Sequence, residues 1–480
     1  MSSNAKQDLD PTDWPETRAQ AHRMLDDMLD HIAGLADGPV WRPMPDAVRG
    51  SFRQDLPADP APLAEVHAEF LERILPFGPG NAHSGFMGWV HGGGTVAGML
   101  AEMLAGGLNA NLGGRDHAPI EVERQILHWL RPLFGYPEGA SGLFVTGSSM
   151  ANFLALLVAR TQALGAGIRA AGLVDGGGGG LVAYTSKAAH GCIRQAMEMA
   201  GLGGDQLRRI ATDALGRMDL DALGQAVAAD RAAGLRPFLL VGTAGSVDIG
   251  AIDDLTALAD LARTEQMWFH VDGAFGALAM LSPGLAPLLA GIERSDSLAL
   301  DFHKWGQVPY DAGYVLVRDG AAHRATFAQP AAYLRRETRG LAAGTDWPCD
   351  YGPDLSRGFR ALKTWFTVKV YGAERLGAVI ARTCDLAQYL RRRVEAEPQL
   401  ELLAPVGLNI VCFRHRGPDA DGLNAAIVAD LHESGLAAPS STIIDGKFAI
   451  RAALVNHRIK EADLDRLVAA TLAFGAQRLN

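Results

Sequence analysis

The sequence predicts an α/β fold with a mostly parallel central sheet that is covered on both faces by helices. From about residue 96 to 320, short apolar runs alternate with helical stretches, as in SGLFVT before MANFLALLVART and RPFLLVGT before DDLTALADLART. The chain has 480 residues, of which 48% are hydrophobic and 20% charged. These values are typical of a globular protein of two or three domains packed as one body.

The remaining elements predict three regions: an N-terminal helical arm (1–95), a large domain (96–365) and a small C-terminal α/β domain (366–480). In the arm, residues 16–36 place apolar side chains at helical spacing. The C-terminal region combines the strand-like runs LNIVCFRH and KFAIRAAL with a closing amphipathic helix, EADLDRLVAATLAF. Residues 325–357 have little periodicity and predict a functional loop or lid.

Composition and charge exclude several classes of protein. Subtracting 54 acidic from 44 basic residues leaves −10, so the chain lacks the basic surface that nucleic-acid binding requires. The polar, acidic start is unlike a signal peptide, and no apolar run has the length of a membrane span. We expect a cytoplasmic enzyme. The four cysteines are Cys192, Cys349, Cys384 and Cys412. Because they form no C-x-x-C pair, they predict neither a metal site nor disulfides.

The segment SLALDFHKWG brings Lys304 to the end of a predicted strand, with His303 beside it. Such a lysine is either solvated at a strand edge or partly desolvated, so that its amine forms a Schiff base with an aldehyde. The strand WFHVD ends on Asp272, 32 residues earlier (304 minus 272). A buried carboxylate can keep a pyridine nitrogen protonated, although alone it also suits a helix cap or a core pair. Together, the lysine and the aspartate predict pyridoxal phosphate as cofactor.

Other predicted strand ends carry groups that suit the same cofactor. GLFVTGSSMANFLAL predicts strand, turn and helix, so backbone N–H groups with Ser148 and Ser149 would hold a phosphate, and Ser297 could reach it too. LVAYTSKAAHG brings His190 to a helix start, where its ring could stack on the cofactor. Thr243 ends FLLVGT nearby, and Ala274 is small enough to lie against a flat ring. Each has an ordinary structural alternative, but open parallel sheets bind ligands beyond the carboxyl ends of their strands.

These residues resemble the group II pyridoxal-phosphate-dependent decarboxylases, the family of the aromatic L-amino acid and glutamate decarboxylases. The resemblance spans nearly the whole chain, and the HVD and HKW elements at their spacing are its most specific part. The motifs are HSGFMGW (83–89), PIEVER (119–124), TGSSMAN (146–152), HVDGAFG (270–276), DFHKW (301–305), PAAYL (330–334), FRALKTWF (359–366) and KFAIR (447–451).

The resemblance implies fold type I, the aspartate-aminotransferase-like fold of pyridoxal-phosphate enzymes, and decarboxylation of an L-amino acid to an amine and carbon dioxide. It implies that Lys304 binds the cofactor covalently, Asp272 pairs with the ring nitrogen and His190 stacks on the ring. His303 would lie beside the lysine and Thr243 near the ring edge.

The resemblance also implies the remaining roles. Arg451 would grip the substrate α-carboxylate, and Tyr333 matches a mobile-loop tyrosine that protonates the carbanion, which favours simple decarboxylation over aldehyde formation. Ser148, Ser149 and Ser297 would surround the phosphate. Asp301, where the family usually has asparagine, would put a negative charge near the phosphate, so its contact is in question. Two further departures are Phe302, where the family usually has proline, and Met150, where its phosphate loop usually has an acidic residue.

Substrate choice is predicted from the residues that match the family's side-chain pocket. Phe86, Trp89 and Val90 lie there without a nearby lysine or arginine, which favours an aromatic substrate over glutamate or aspartate. The alternative is that they pack a subunit interface. Ser356 matches a position where serine accompanies phenolic substrates in plant relatives, so tyrosine or dihydroxyphenylalanine is favoured over tryptophan.

Other functions stay open at this stage. They are decarboxylation of an acidic amino acid and another pyridoxal-phosphate reaction, such as an aldolytic lyase or a transaminase. A remote alternative is a serine esterase, since HGGG (91–94) precedes a strand-turn-helix, but the G-x-S-x-G elbow has Ala151 in place of its second glycine. The resemblance further implies a homodimer with the active site at the interface, the N-terminal arm crossing to the partner subunit.

Overall fold

A computed structural model of the chain describes residues 9–329, 335–344 and 346–479. The strands are β1 (Phe86–Met87), β2 (Ser141–Val145), β3 (Leu181–Ser186), β4 (Leu207–Ile210), β5 (Arg236–Thr243), β6 (Trp268–Asp272), β7 (Ser297–Asp301), β8 (Gly313–Val317), β9 (Leu400–Leu402), β10 (Ile410–His415), β11 (Ala438–Ile444) and β12 (Lys447–Ala453). The helices are α1 (Trp14–Ala33), α2 (Asp46–Ser51), α3 (Leu63–Arg73), α4 (Val96–Leu108), α5 (Ala118–Leu133), α6 (Ser148–Leu164), α7 (Ile168–Asp175), α8 (Cys192–Met199), α9 (Leu220–Ala232), α10 (Leu255–Thr264), α11 (Gly320–Phe327), α12 (Arg360–Glu395), α13 (Ala420–Glu433) and α14 (Glu461–Leu479).

The large sheet has seven strands in the order β2-β8-β7-β6-β5-β3-β4. The pairs β4/β3, β3/β5, β5/β6 and β6/β7 are parallel, whereas β8 is antiparallel to both β7 and β2. Strand β2 therefore runs in the same direction as β7. The predicted α/β fold with a mostly parallel sheet is confirmed, and its nearly continuous apolar strands are buried because helices cover both faces.

Register brings the carboxyl ends of these strands to one edge of the sheet. Thr243 pairs with Asp272 across β5 and β6. Gly313 pairs with both Asp301 on β7 and Val145 on β2. The residues that follow β2, β5, β6 and β7 therefore converge at this edge, where open parallel sheets bind ligands.

The small sheet has the order β1-β11-β12-β10-β9 and packs with α13 and α14. Strand β1 comes from the N-terminal arm and pairs in parallel with β11 through Phe86 and Ala438. The arm thus contributes a strand to the small sheet as well as helices. A regular pattern could not predict this strand, because it is only two residues long.

Helix α12 continues across the domain boundary that the sequence predicts at residue 365. Gly372 interrupts the helix with φ 74° and ψ 154°, a conformation that glycine adopts more easily than other residues. This break is the structural discontinuity nearest to the predicted boundary. The domain limits themselves stay a prediction.

Within the described ranges, no single helix has the length and apolarity to cross a membrane. The pair α6 and α7 passes that test only together, by length and composition, and is bent by 82°.

Candidate active site

A cleft of about 400 Å³ opens at the carboxyl edge of the large sheet. Lys304 and Asp272, the two residues on which the cofactor prediction depends, both line it. Lys304 follows β7 and Asp272 ends β6, so the parallel pairing of these strands brings together residues that are far apart in sequence. The other lining side chains that the sequence analysis singled out are Trp89, Val90, Ser148, Ser149, His190, Thr243, Ala274, Asp301 and His303.

Lys304 forms an ion pair with Asp301. Its Nζ lies 2.8 Å from Asp301 Oδ2, and the lysine side chain is 23% exposed while the aspartate side chain is 2% exposed. The Lys304 amine is therefore partly removed from water, and the adjacent carboxylate can serve as the base that takes up a proton when the amine attacks an aldehyde.

Asp272 is buried beneath the cleft and accepts two hydrogen bonds. Ala274 N–H donates to Oδ1 at 3.1 Å and the Asn152 amide donates to Oδ2 at 3.2 Å. Burial raises the pKa of Asp272, while the Lys304 charge, the Ala274 N–H and His190 act in the opposite direction. A positively charged ring nitrogen at this carboxylate would compensate for the loss of hydration.

The turn between β2 and α6 has the geometry expected of a phosphate cradle. Ser148 N–H, in the first turn of α6, donates to Asp301 Oδ1 at 2.7 Å, and the Ser148 hydroxyl is buried without a partner among the described residues. Gly147 lies close to β8, where a Cβ on Gly313 would come within 2.4 Å of the Gly147 Cα. This close approach explains the glycine at position 313, and Gly147 and Ser148, at the N-terminus of α6, line the cleft.

His303 and His190 lie on the cleft walls. His303 Nδ1 accepts the Ala312 N–H at 3.0 Å, which directs Nε2 towards Asp301 Oδ2, 3.7 Å away. Burial lowers the pKa of His303 to about 4, so its ring is neutral at pH 7. His190 precedes α8, and its Nδ1 accepts the Cys192 N–H at 3.2 Å.

Thr243 supplies a second buried hydroxyl that has no partner in the described part of the chain. Its backbone N–H donates to Asp253 Oδ2 at 2.8 Å, which holds the end of β5 in place. Two unpaired hydroxyls, a helix N-terminus, a buried carboxylate and a desolvated lysine surround one cleft. This donor and acceptor set fits pyridoxal phosphate: Ser148 and the α6 N-terminus suit its phosphate, Asp272 its ring nitrogen and Lys304 its aldehyde.

Ser297 does not reach this cradle, contrary to the expectation from the sequence. It starts β7, whereas the cradle lies at the other end of that strand. Its hydroxyl, which is fully buried, accepts Trp268 Nε1–H at 2.8 Å and lies 2.8 Å from His270 Nδ1. Four residues of extended chain span about 13 Å, too far for a contact with the phosphate.

Arg451 lies behind the cleft wall and does not line it, so the geometry does not match the prediction that it grips a carboxylate. Its guanidinium donates to the carbonyl oxygens of Trp89 at 3.0 Å and Asp248 at 3.1 Å, to that of Val247, and to Ser440 Oγ at 3.0 Å. The residue is 3% exposed. Because Trp89 and Val247 both line the cleft, Arg451 holds the backbone of two wall segments together.

The predicted substrate residues separate into two groups. Trp89 and Val90 line the cleft, whereas Phe86 is buried behind it and stacks on His91 at 5.7 Å between ring centroids. Ser356 is exposed and does not line the cleft. Ser356 is next to Arg357, whose buried ion pair with Glu123 is structural. Tyr333 lies outside the described residues.

Sequence reasoning gave no role in the cofactor site to several cleft residues, among them Asn152, His91 and Tyr310. Asn152 lies one helical turn after Ser148, so helix spacing placed it on the cleft side. His91 stands in a glycine-rich segment, and Tyr310 in a loop after β7, where no pattern indicates orientation. The Tyr310 and His91 ring centroids are 5.7 Å apart, and Tyr310 also contacts His303 at 4.4 Å.

The glycines of HGGG (91–94) have a packing role. Gly92 N–H donates to His303 O at 3.2 Å, and a Cβ on Gly92 would lie 2.4 Å from Lys304 O. A Cβ on Gly93 would lie 2.5 Å from Asn456 Oδ1. The segment therefore packs against the lysine turn by close backbone approach, which differs from the oxyanion loop that the esterase alternative requires.

Comparisons with known proteins identify the family of the chain. Residues 45–416 match the family model described as the pyridoxal-dependent decarboxylase conserved domain. The chain is 32% identical over 455 residues to an aromatic-L-amino-acid decarboxylase of Bacillus atrophaeus, covering 92% of each protein. It is 33% identical over 404 residues to an L-2,4-diaminobutyrate decarboxylase of Rhizobium meliloti (strain 1021), covering 83% of this chain and 78% of that protein.

The fold is also that of solved structures. The chain superposes on Oryza sativa TDC, solved with PLP and tryptamine, with a TM-score of 0.89, 25% identity and coverage of 98% of this chain and 100% of that one. The expected fold type I and the expected cofactor are thereby confirmed. The chain belongs to the family of pyridoxal-dependent decarboxylases and is a pyridoxal-phosphate-dependent amino acid decarboxylase, a lyase.

Proposed function

We propose that this decarboxylase acts on an aromatic L-amino acid, with tyrosine or dihydroxyphenylalanine preferred over tryptophan. The observation that carries the proposal is the outer wall of the cleft, formed by Trp89, Val90, His91 and Tyr310. Trp89 and His91 stack at 5.8 Å between ring centroids. The flat rings of Trp89, His91 and Tyr310 on this wall favour a flat substrate side chain.

The charges around the cleft argue against a second charged group on the substrate. Among the described lining residues, Lys304 is the only lysine or arginine, and Asp272 and Asp301 are the only carboxylates. All three are engaged near the cofactor position. A glutamate substrate would need a further cation, and a diaminobutyrate substrate a further anion, to compensate for desolvation of its side-chain charge.

His91 is the group that would favour a phenolic side chain. No described hydrogen bond uses either of its ring nitrogens, although the ring borders the cleft. Burial and the Lys304 charge lower the pKa of His91, which keeps the imidazole neutral, with one donor and one acceptor. The hydroxyl of a phenolic substrate would form a hydrogen bond with this ring. His91 therefore supports the phenolic preference that the sequence analysis based on Ser356.

The residues of the cleft have distinct roles in this proposal. Bound pyridoxal phosphate supplies an electron sink for the carbanion that remains when carbon dioxide leaves. Lys304 would be the covalent attachment point, with Asp301 beside its amine. Asp272 would keep a proton on the ring nitrogen, His190 would stack on the ring, and Ala274 is small enough to leave room beside it.

Two groups would control water and protons. Tyr333, as the resemblance implies, would donate the proton to the substrate Cα once the loop that carries it closes over the cleft. His303, neutral and fixed by the Ala312 N–H, lies beside Lys304 with its Nε2 3.7 Å from Asp301 Oδ2. Closure excludes water, which would otherwise compete as a proton donor.

We further propose that the enzyme works as a homodimer with α4 at the interface. This helix exposes Met103 (56%), Leu104 (48%) and Leu108 (59%) on an otherwise apolar helix. It begins shortly after His91, so a partner packed on α4 would adjoin the cleft. Clustered exposed apolar side chains are typical of a protein interface. Light scattering should give twice the mass of one chain, and Leu104→Lys should shift the mass towards the monomer.

A substrate panel tests the proposed activity. The purified enzyme is assayed for carbon dioxide with L-tyrosine, L-dihydroxyphenylalanine, L-phenylalanine, L-tryptophan, L-glutamate, L-aspartate and L-2,4-diaminobutyrate, with amine and aldehyde products both measured. We expect the highest kcat/KM for the phenolic substrates and amines as products. A preference for an acidic or a diamino substrate would contradict the proposal, and labelling of Ser149 by a fluorophosphonate would revive the esterase alternative.

A further inference from the structure

We infer that Trp268, Ser297, His270 and Asn152 form a hydrogen-bonded chain that sets the orientation and ionisation of Asp272. These four are positioning residues for the ring nitrogen of the cofactor, and the inference rests on the proposed role of Asp272. We call this set the polar chain. The sequence analysis assigned no role to Trp268, His270 or Asn152, and it had placed Ser297 at the phosphate.

The atoms of the polar chain are in continuous contact. Trp268 Nε1 is 2.8 Å from Ser297 Oγ, which is 2.8 Å from His270 Nδ1. His270 Nε2 is 2.7 Å from Asn152 Oδ1, and Asn152 Nδ2 is 3.2 Å from Asp272 Oδ2. Every distance lies within the range of a hydrogen bond.

The carboxylate end determines the direction of the bonds. An ionised carboxylate only accepts, so the Asn152 amide must donate to Asp272, and its carbonyl must then accept from His270 Nε2–H. Burial lowers the pKa of His270 to about 3, so the ring is neutral and a proton on Nε2 leaves Nδ1 as an acceptor. The Ser297 hydroxyl therefore donates to His270 Nδ1 while its oxygen accepts the Trp268 N–H, and one tautomer of His270 satisfies every bond of the polar chain.

The fold explains why these residues meet. Trp268, His270 and Asp272 alternate along β6 and therefore point to the same face of the sheet. Helix α6, which carries Asn152, packs on β6 and β7. Ser297 pairs directly with His270 across β7 and β6.

Burial fixes the orientation of the Asn152 amide in the polar chain. Asn152, His270, Asp272 and Ser297 are all 4% exposed or less, so water has little access to the bonds between them. A reversed Asn152 amide would place its carbonyl against the carboxylate and its NH₂ group against His270 Nε2–H, and both contacts are repulsive. The second Asn152 amide hydrogen is also engaged, by Cys192 Sγ at 3.3 Å. The amide therefore presents a fixed donor to Asp272.

That donor favours the ionised form of Asp272 against the effect of burial. An ionised carboxylate binds a protonated pyridine nitrogen, whereas a neutral acid does not retain the ring charge. Loss of the Asn152 donor should therefore weaken binding of a cofactor that has a ring nitrogen. It should have little effect on an analogue that lacks one.

The experiment compares two ligands: pyridoxal 5′-phosphate and its 1-deaza analogue, in which C–H replaces the ring nitrogen. Each protein is freed of cofactor and titrated with each ligand, and the dissociation constant is measured from visible absorbance. We expect Asn152→Leu to weaken binding of pyridoxal phosphate about tenfold, because one charge-assisted hydrogen bond to Asp272 is lost. Binding of the deaza analogue should weaken less than about twofold. Ser297→Ala, a milder change, should give a smaller loss with the same ligand dependence.

Two further variants interpret the result. Thr161→Val, also on α6, removes a buried hydroxyl that bonds only to Leu157 O, and it should leave both constants unchanged. Asp272→Asn should discriminate between the ligands more strongly than Asn152→Leu. If Asp272→Asn weakens both ligands equally, the proposed role of Asp272 fails. If Asp272→Asn discriminates but Asn152→Leu weakens both ligands equally, or neither, the polar chain is overturned while the proposed function stands.

Discussion

Asp301 Oδ2 lies 2.8 Å from Lys304 Nζ, while the other oxygen of the same carboxylate accepts the Ser148 N–H at 2.7 Å. One acid thus contacts both the lysine expected to bind the cofactor and the helix N-terminus expected to hold its phosphate. The Asp301 carboxylate accepts the Ser148 N–H, a donor that would otherwise be available to a phosphate. Asp301 therefore faces the cradle, which answers the question that its charge raised in the sequence.

Asp301→Asn should strengthen binding of pyridoxal phosphate. The substitution removes a negative charge beside a dianionic phosphate but keeps an oxygen that can accept the Ser148 N–H. We expect the dissociation constant to fall about tenfold at pH 7, an electrostatic change of the usual size for a neighbouring charge. Titration of the cofactor-free protein measures it. Unchanged or weaker binding would show that the Lys304 ion pair matters more than phosphate repulsion.

Lys304→Ala should abolish both decarboxylation and the visible absorbance of the purified protein, because the cofactor loses its covalent attachment. The matched control is Lys187→Ala, an exposed lysine that directly follows β3 outside the cleft lining. Absorbance spectra and carbon dioxide release measure the outcome. Retention of the wild-type spectrum in Lys304→Ala would remove the basis of the assigned site.

Tyr333→Phe should lower amine production about 100-fold or more, because general acid catalysis contributes at least that factor. Aldehyde should appear as the alternative product. Tyr389→Phe is the control. The Tyr389 hydroxyl donates to Asp465, and Tyr389 does not line the cleft. Clean amine formation at the full rate in Tyr333→Phe would show that another group donates the proton.

His91→Phe should reduce the preference for tyrosine over phenylalanine. Phenylalanine keeps the stacking on Phe86 and Trp89 but removes the ring nitrogens that would pair with a phenol. We expect the ratio of kcat/KM for the two substrates to fall about tenfold, since sites built for a hydroxyl discriminate against its absence. The phenylalanine rate is the internal control. An unchanged ratio would place phenol recognition elsewhere.

His323→Gln should flatten the loss of thermal stability in acid. Burial lowers the pKa of His323 from 6.5 to about 3, so the folded protein keeps the ring neutral while the unfolded chain becomes protonated. The stability that this group contributes is complete above pH 6.5 and is lost as pH falls from 6.5 towards 3, by about 1.4 kcal/mol per pH unit.

Scanning calorimetry from pH 7 to pH 4 measures this effect through the midpoint temperature. His22→Gln is the control, because His22 is exposed on α1. The difference in midpoint between wild type and His323→Gln should change steadily as the pH is lowered. A constant difference would mean that His323 contributes by packing alone.

Local patterns were sufficient to predict much of the architecture and the centre of the site. The apolar runs that end on Asp272 and Thr243 appear as β6 and β5, and Lys304 follows β7 as expected. Strand ends of a parallel sheet share one edge, so Lys304, Asp272, His190, Ser148 and Thr243 could be predicted to meet without knowledge of distances. The small sheet was predicted only in part, since β1 is too short to have a period.

Side-chain direction could not be predicted in the same way. Ser297 was expected at the phosphate because it is close to His303 in sequence, yet the length of β7 separates them and turns the hydroxyl towards His270. Arg451 was expected in the cleft, but backbone carbonyls from Trp89 and Val247 occupy its donors. These contacts join segments that lie hundreds of residues apart, and no local pattern contains them.

By itself, the sequence determined the fold class, the cofactor and the residues at the strand ends, because strand and helix periods act over a few residues and strand ends necessarily meet. Only the tertiary structure decided how those residues are paired and oriented: the Asp301–Lys304 ion pair, the polar chain behind Asp272 and the exposure of His91 to the cleft. The physical reason is that a buried polar group takes whichever partner packing brings within hydrogen-bond distance, and packing depends on the whole chain.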